Sequence, residues 1–120
     1  SINKRGVFKI MQIVKRQIYI TDTIEGFHCW EDAPEEVMFL RANHRHLFHI
    51  KCYFDVNHDD RDLEFFIMKR IVRQELEKLF KFNVGSCEMI ANHLIQVLGK
   101  YPIKKVEVSE DGENGAILEV

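Results

Sequence analysis

The chain has 120 residues, enough for one compact domain, and 46% of them are hydrophobic, which excludes a generally disordered chain. The formal net charge is −2, and nonspecific nucleic-acid binding usually requires a basic excess. No apolar run approaches the length of a membrane span, and SINKRGVFKIMQIVKRQ lacks the apolar core of a secretory signal. Three cysteines without a CxxC pair argue against a disulfide framework. We therefore expect a cytoplasmic protein without nucleic-acid or membrane partners.

The first half of the chain predicts two strands. Residues 12–25 are rich in Ile, Val, Thr and Tyr and predict a long strand, followed by a polar loop at 31–36 that contains proline. Residues 47–56 predict a second strand, and the polar cluster 57–62 predicts a turn. Alternation places five side chains of the second strand on one apolar face: Phe48, Ile50, Cys52, Phe54 and Val56.

The second half predicts two helices and then two strands. Residues 63–80 predict a helix, or a short strand that runs into one. Its apolar residues recur at spacings of three and four: Phe65, Met68, Val72, Leu76 and Leu79. Ser86 is the predicted N-cap of a second helix that ends at Gly99. The apolar face of that helix comprises Ile90, Ala91, Leu94, Ile95 and Leu98.

Residues 103–110 predict a third strand, DGENG a hairpin turn and AILEV a fourth strand. The order ββααββ predicts an α+β protein with two helices packed on one face of an antiparallel sheet. We expect one domain over residues 1–120, with residues 1–11 as an N-terminal extension.

Three histidines occupy positions that pairing of the first two strands would bring together. If the second strand begins at His44, its period of two places His44 and His46 on one face, about 7 Å apart along the backbone. His28 ends the first long strand. Three imidazoles with an open fourth position are typical of zinc that activates water or polarises a substrate. The alternative is chance placement of three among six histidines, because an HxH pair alone is a weak signal.

Glu110 ends the third predicted strand on its apolar face, in alternation with Val106 and Val108. A buried carboxylate is costly unless hydrogen-bond donors meet it. The N–H/NH2 edge of a pterin or guanine offers two parallel donors that match its two oxygens. The alternative is that Glu110 reaches water at the strand end or pairs with a lysine.

Five segments, in order, resemble motifs of the 6-pyruvoyl-tetrahydropterin synthase family, which includes 6-carboxytetrahydropterin synthase of the queuosine pathway. IEGFH is similar to FEAAH, HRHLF to HGHSF or HGHNY, and DLEFFIMK to VMDFxxLK. GSCEMIANHL is similar to PTSEN followed by an apolar helix, and KKVEVSEDGENGA to a closing VxVxET segment. The resemblance covers about residues 12–120.

The resemblance implies that His28, His44 and His46 are zinc ligands and that Glu110 anchors a pterin. It implies the tunnelling fold, in which ββααββ subunits form an oligomeric β-barrel, as a homotrimer or hexamer with ligand sites between subunits. The implied cofactor is Zn²⁺, the implied ligand is a pterin or purine-like molecule, and the implied activity is that of a carbon–oxygen lyase of pterin or 7-deazaguanine metabolism.

The chain departs from the family pattern at the catalytic positions. Leu40 stands where the family has a cysteine four residues before HxH, and residues 76–83 carry Glu77 and Lys78 in place of an Asp-His pair. Cys29, beside the first histidine, is either a displaced nucleophile or acid or an ordinary small residue. Without the cysteine and the Asp-His pair, the sequence offers no obvious residue for general acid/base catalysis.

Two further departures are substitutions close to the implied ligands. Arg45 replaces the glycine of HGH and offers a cation that can contact a phosphate of a ligand. Asp111 replaces the threonine of ET.

Three functions remain open from the sequence. The first is a divergent zinc-dependent pterin-pathway enzyme, and the second is a catalytically inactive protein on the same fold that binds or sequesters a pterin, purine or nucleotide. The third is a structural or interaction protein in which the histidines are incidental.

Overall fold

A computed structural model describes residue 2, residues 4–6 and residues 9–120. Strand β1 spans Gln17–His28 and strand β2 spans His44–Asp55, with 3-10 helical turns over Glu35–Arg41 between them. Helices α1 (Phe65–Leu79) and α2 (Cys87–Val97) follow, and strands β3 (Ile103–Glu110) and β4 (Asn114–Glu119) close the chain. The α+β order ββααββ is confirmed.

The four strands form one open antiparallel sheet in the order β1-β2-β3-β4. The register pairs His28 with His44 and Gly26 with His46 across β1 and β2. Across β2 and β3 it pairs Phe48 with Glu110. The ends of β1 and β3 therefore lie on either side of the start of β2.

The core lies between the helices and one face of the sheet. Four of the five residues on the predicted apolar face of β2 are fully buried, and Val56 lies just beyond the strand, half-buried. The strand contributes Phe48, Ile50, Cys52 and Phe54, and the helices add Met68, Val72, Leu76, Ile90, Ala91, Leu94 and Leu98. Each large apolar side chain removed from water contributes roughly 1.5–3 kcal/mol, so this face accounts for much of the stability.

One residue predicted for the apolar face of α1 is exposed. Phe65 is 59% exposed, because α1 begins at this residue and the first buried position of the helix is Met68, one turn later. The Glu64 side chain accepts a hydrogen bond from the backbone N–H of Ile67 and caps the helix.

Strand β1 begins and ends later in the chain than the strand predicted over residues 12–25. Residues 12–16 belong to no strand of the described chain, because β2 ends at Asp55 opposite Gln17 and the chain then turns away. At its other end β1 continues to His28. The 3-10 turns over Glu35–Arg41 were not predicted, since the polar composition of 31–36 indicated only a loop.

The N-terminal extension predicted over residues 1–11 falls partly on Ser1, Asn3, Val7 and Phe8, which lie outside the described residues. Within the part of the chain that the structure describes, neither helix has the length and apolarity that crossing a bilayer requires.

Candidate metal centre

The three predicted histidines come together at one end of the sheet. His28 ends β1, His44 begins β2, and the two are register partners, so that His46 lies on the same face two residues further on. The imidazole centroids are 4.5 Å (His28–His44), 5.1 Å (His28–His46) and 4.9 Å (His44–His46) apart. One potential ligand atom from each ring lies within 4.8 Å of the other two.

Each of the three rings has its Nδ1 atom against an acceptor. His28 Nδ1 lies 3.0 Å from the carbonyl oxygen of Gly85, and His44 Nδ1 lies 2.8 Å from that of Ala42. His46 Nδ1 lies 2.7 Å from Oδ2 of Asp111. Carbonyl and carboxylate oxygens only accept, so Nδ1 carries a proton, and in the neutral form of each ring the lone pair is at Nε2. This is the tautomer in which histidine binds a metal through Nε2.

Asp111 positions His46 from a tight turn. Asp111 and Gly112 have φ values of 56° and 73°, and Glu113 N–H donates to the Glu110 carbonyl over 2.9 Å, as in a type I′ turn. Asp111 Oδ1 also accepts the backbone N–H of Leu47 at 2.8 Å. The hydrogen bond from His46, followed by that from Leu47, lowers the pKa of the Asp111 carboxyl below its usual value. The sequence pattern identified the turn but not this role of its first residue.

Glu110 enters the same cluster from β3. Val106 and Val108 are buried on its face of the strand, as the alternation predicted. Glu110 Oε2 lies 3.1 Å from His46 Nε2, and Oε1 lies 3.8 Å from His28 Nε2. The carboxylate is 31% exposed, so it faces the histidines at the edge of the core. Among the described residues, its ion-pair contacts are with these two histidines and not with a lysine.

Cys87 is a site residue that the sequence analysis did not identify. Its thiol lies 3.8 Å from Glu110 Oε1, at the first turn of α2. Burial, and then the charges of Glu110 and Glu88, raise the pKa of the Cys87 thiol to about 12. A helix N-terminus ordinarily lowers a thiol pKa, and here burial and two carboxylates outweigh it. The thiol therefore stays protonated and donates toward Glu110.

The start of α2 is held beside the end of β1. Val84 N–H donates to the Phe27 carbonyl over 2.9 Å, which brings the Gly85 carbonyl to His28. Ser86, the predicted N-cap, accepts the N–H of Met89 at 3.2 Å. The same local structure therefore caps the helix, orients His28 and places the Cys87 thiol beside Glu110.

Aromatic side chains pack against the histidine cluster from the side of the core. The Phe48 ring lies edge-on to His28 and His46, with centroids 5.5 and 5.8 Å away, and packs on Phe80. Gly26 makes this packing possible, because a Cβ at this position would lie only 2.7 Å from the Phe80 ring. The glycine of IEGFH therefore leaves room for the ring that supports the first histidine.

Other sequence candidates lie elsewhere. Arg45 is on the opposite face of the sheet and forms an ion pair with Glu25 at 2.7 Å, so its role as a phosphate contact stays a prediction. Cys29 is exposed beside His28, outside the three-histidine group. Glu77 and Lys78 are on the surface of α1, where they pair with Arg73 and Glu75.

The residues that converge fit a zinc ion. Neutral imidazole nitrogens and a carboxylate oxygen are among the ligands that Zn²⁺ prefers. His46 Nε2 is buried and makes no hydrogen bond among the described residues, although Glu110 Oε2 lies 3.1 Å away, and a metal ion at this point would contact both atoms.

The fold and the histidine cluster define an α+β protein with a candidate metal centre at one end of an antiparallel sheet. Comparison with models of known protein families found no match. Comparison with curated proteins likewise found no match.

Proposed function

We propose that this protein binds zinc through His28, His44 and His46 and that the centre acts on, or holds, a pterin-type ligand in the manner of the 6-pyruvoyl-tetrahydropterin synthase family. The observation that carries the proposal is the arrangement of the three rings. Each Nδ1 is held by an acceptor, and the histidines offer ligand atoms within 4.8 Å of one another.

Three independent backbone and side-chain contacts would not be expected if the histidines were incidental. The three acceptors come from separate parts of the chain: the segment just before α2, the segment just before β2, and the turn after β3. Orienting acceptors of this kind are typical of metal-binding histidines, whose second nitrogen they keep protonated. When bound, zinc supplies a Lewis acid that polarises a substrate oxygen or activates water.

The ligand class rests on the sequence resemblance and on Glu110. A pterin or guanine carries adjacent N–H donors, and Glu110 has two oxygens close to the proposed zinc ligands. Within this proposal the reaction is a carbon–oxygen lyase step of pterin or 7-deazaguanine metabolism. The tunnelling fold and a trimeric or hexameric barrel belong to the same proposal.

The decisive first experiment is elemental analysis of protein prepared without a histidine tag, with the native mass measured on the same sample. We expect about one zinc per chain in the wild-type protein and none in His44→Ala. The matched control is His49→Ala, an exposed histidine on the same strand and the opposite face, which should retain the metal. Folded protein without stoichiometric metal would refute the proposal.

A second candidate function is binding or sequestration of the ligand without turnover. It is favoured by Leu40 at the position of the family's catalytic cysteine and by the location of Glu77 and Lys78 on the exposed surface of α1. Cys87 has a pKa raised to about 12, which disfavours it as a nucleophile near neutral pH.

The two functions differ in a product assay. Zinc-loaded protein would be incubated with dihydroneopterin triphosphate, and calorimetry with pterins and guanine nucleotides would be run on the same sample. Turnover that is lost in His44→Ala identifies the enzyme. Heat of binding without product, weakened in Glu110→Gln, identifies the binding protein. If the protein gives no product and no heat of binding, both candidates are contradicted.

A further inference from the structure

We propose that Glu110 is a fourth protein ligand of the metal, so that in the absence of a small molecule the centre is closed by a carboxylate. This inference rests on the zinc centre proposed above and adds a ligand to it. It differs from the role that the sequence resemblance implies for Glu110, which is to anchor a heterocycle.

Glu110 and the histidines share one face of the sheet. Glu110 is the register partner of Phe48, two residues beyond His46 on β2. Its two oxygens reach two different histidines: Oε2 lies 3.1 Å from His46 Nε2 and Oε1 lies 3.8 Å from His28 Nε2. For metal–ligand bonds of about 2.0–2.1 Å, atoms that share a tetrahedral zinc are separated by about 3.3 Å. The Oε2–His46 separation is close to this value, so in this proposal the carboxylate binds through Oε2, whereas the Oε1–His28 separation is longer. Glu110 lies beside the group of three histidines whose ligand atoms are all within 4.8 Å of one another, on the side of His46 and His28.

The approach of Glu110 to His46 is not an ordinary hydrogen bond. His46 donates from Nδ1 to Asp111, and its Nε2 is directed toward a carboxylate oxygen that carries lone pairs. Two lone pairs at 3.1 Å repel each other unless a cation or a shared proton lies between them. His28 has the same tautomer and faces the other oxygen of the carboxylate. One metal cation can bind Nε2 of both histidines and one oxygen of Glu110, whereas one proton satisfies a single pair.

The surroundings of Glu110 resemble those of a ligating carboxylate. The Cys87 thiol is directed at Oε1 from a distance of 3.8 Å and is almost fully buried. Ligating carboxylates are usually hydrogen-bonded by outer residues that fix their orientation. Cys87 is therefore a positioning residue for Glu110 and is not itself a ligand in this proposal.

A closed centre has a direct consequence for ligand binding. A small molecule that needs the metal must displace Glu110, and a free carboxylate would then be available for its N–H donors. Small anions that bind to open zinc centres should not bind to the wild-type centre. Removal of Glu110 should open the position.

The test uses tag-free, metal-free protein titrated with Co²⁺, whose visible absorption reports the coordination number. We expect the wild-type protein to give the intense bands of a four-coordinate centre that azide does not change. Glu110→Gln should lower the Co²⁺ affinity by at least the roughly 10–100-fold that loss of an outer partner costs. In this variant, azide should alter the spectrum. Glu113→Gln, an exposed carboxylate in the same hairpin, is the matched control and should behave as wild type.

If Glu110→Gln does not fold, Glu110→Asp provides the same test, because its shorter side chain keeps the charge but withdraws the oxygens from the histidines. A wild-type centre that binds azide, or an unchanged affinity and spectrum in the Glu110 variant, would overturn the inference and leave the three-histidine centre standing. Failure of the wild-type protein to bind Co²⁺ or Zn²⁺ at all would overturn the proposed function as well.

Discussion

His46 donates a hydrogen bond from Nδ1 to Asp111 Oδ2 over 2.7 Å, and the two residues are 65 positions apart in the chain. The contact joins the second residue of the HxH pair to the turn between β3 and β4. The arrangement of the three histidines therefore depends on the closing hairpin as well as on the histidine-bearing strands. Asp111 therefore has two structural roles: it adopts the left-handed backbone conformation of the turn, and it accepts the hydrogen bond that orients His46.

Asp111→Asn should weaken zinc binding while preserving the fold. Asparagine tolerates the left-handed conformation of the turn, but it removes the charge that favours the Nδ1 tautomer of His46. We expect the zinc affinity to fall by roughly 10–100-fold, as is typical when an outer partner is lost. Competition with a chromophoric chelator measures this change. Asp60→Asn, which removes an exposed carboxylate in the turn after β2, is the control. Equal affinities for both variants would show that Asp111 does not position His46.

Gly26→Ala should destabilise the protein through a clash with Phe80. The added Cβ would lie 2.7 Å from the Phe80 ring and 3.0 Å from that of Phe48. Overpacking of this kind costs about 1–3 kcal/mol of unfolding free energy. Urea denaturation of Gly26→Ala, Phe80→Leu and the double variant forms a thermodynamic cycle. We expect the double variant to lose less unfolding free energy than the two single variants together, because the smaller leucine side chain makes room for the methyl group. Additive losses of unfolding free energy would indicate that the added methyl group does not clash with the Phe80 ring.

The three cysteines should differ in reactivity. Cys29 is exposed, whereas Cys52 and Cys87 are buried, and burial raises the pKa of each buried thiol to about 12. A disulfide reagent at pH 8 should therefore modify one thiol rapidly and two slowly, since the thiolate is the reactive form. Cys29→Ser should abolish the rapid phase, while Cys87→Ser should leave it intact. A rapid phase that survives Cys29→Ser would contradict the burial of the other two.

The same raised pKa values predict loss of stability in alkali. In the unfolded chain the two buried thiols ionise near their ordinary value of 9.0, and in the folded chain they ionise only near about 12. The folded state thus binds more protons over this range, so the unfolding free energy falls as the pH rises from about 9 toward about 12. Their contribution is fully present below pH 9. Denaturant titrations from pH 8 to 11 should show a shallower decline for Cys87→Ser than for the wild type.

Ser86→Ala should affect both stability and the metal centre. Loss of the N-cap hydrogen bond to Met89 costs about 0.5–2 kcal/mol of unfolding free energy. Because the neighbouring Gly85 carbonyl orients His28, zinc affinity should also decrease. Ser86→Asp, which retains a capping oxygen, should restore most of both properties. Ser109→Ala, on the opposite face of β3 from Glu110, is the control in thermal denaturation and chelator competition.

Much of the fold could be predicted from local patterns. Alternating side chains identified the buried face of β2, and spacings of three and four identified most buried residues of both helices, although Phe65 is exposed and the buried Cys87 was not predicted. Ser86 was correctly predicted as a cap because capping depends on a few adjacent residues. The limits of β1 were predicted less well. A strand ends where its partner ends, and the composition of residues 12–16 contains no information about where β2 turns away.

The candidate site, like the fold, could be predicted only in part from the sequence. The sequence by itself determined the elements, the shared face of His44 and His46, and the inward side of Glu110, because these follow from a backbone period of two. Only the tertiary structure decided that Asp111, Gly85 and Cys87 surround these residues. It also decided that Arg45 lies on the other face, in an ion pair with Glu25. The physical reason is that periodicity orients side chains within one element, whereas contacts between elements depend on strand register and on the packing of α2 beside the sheet.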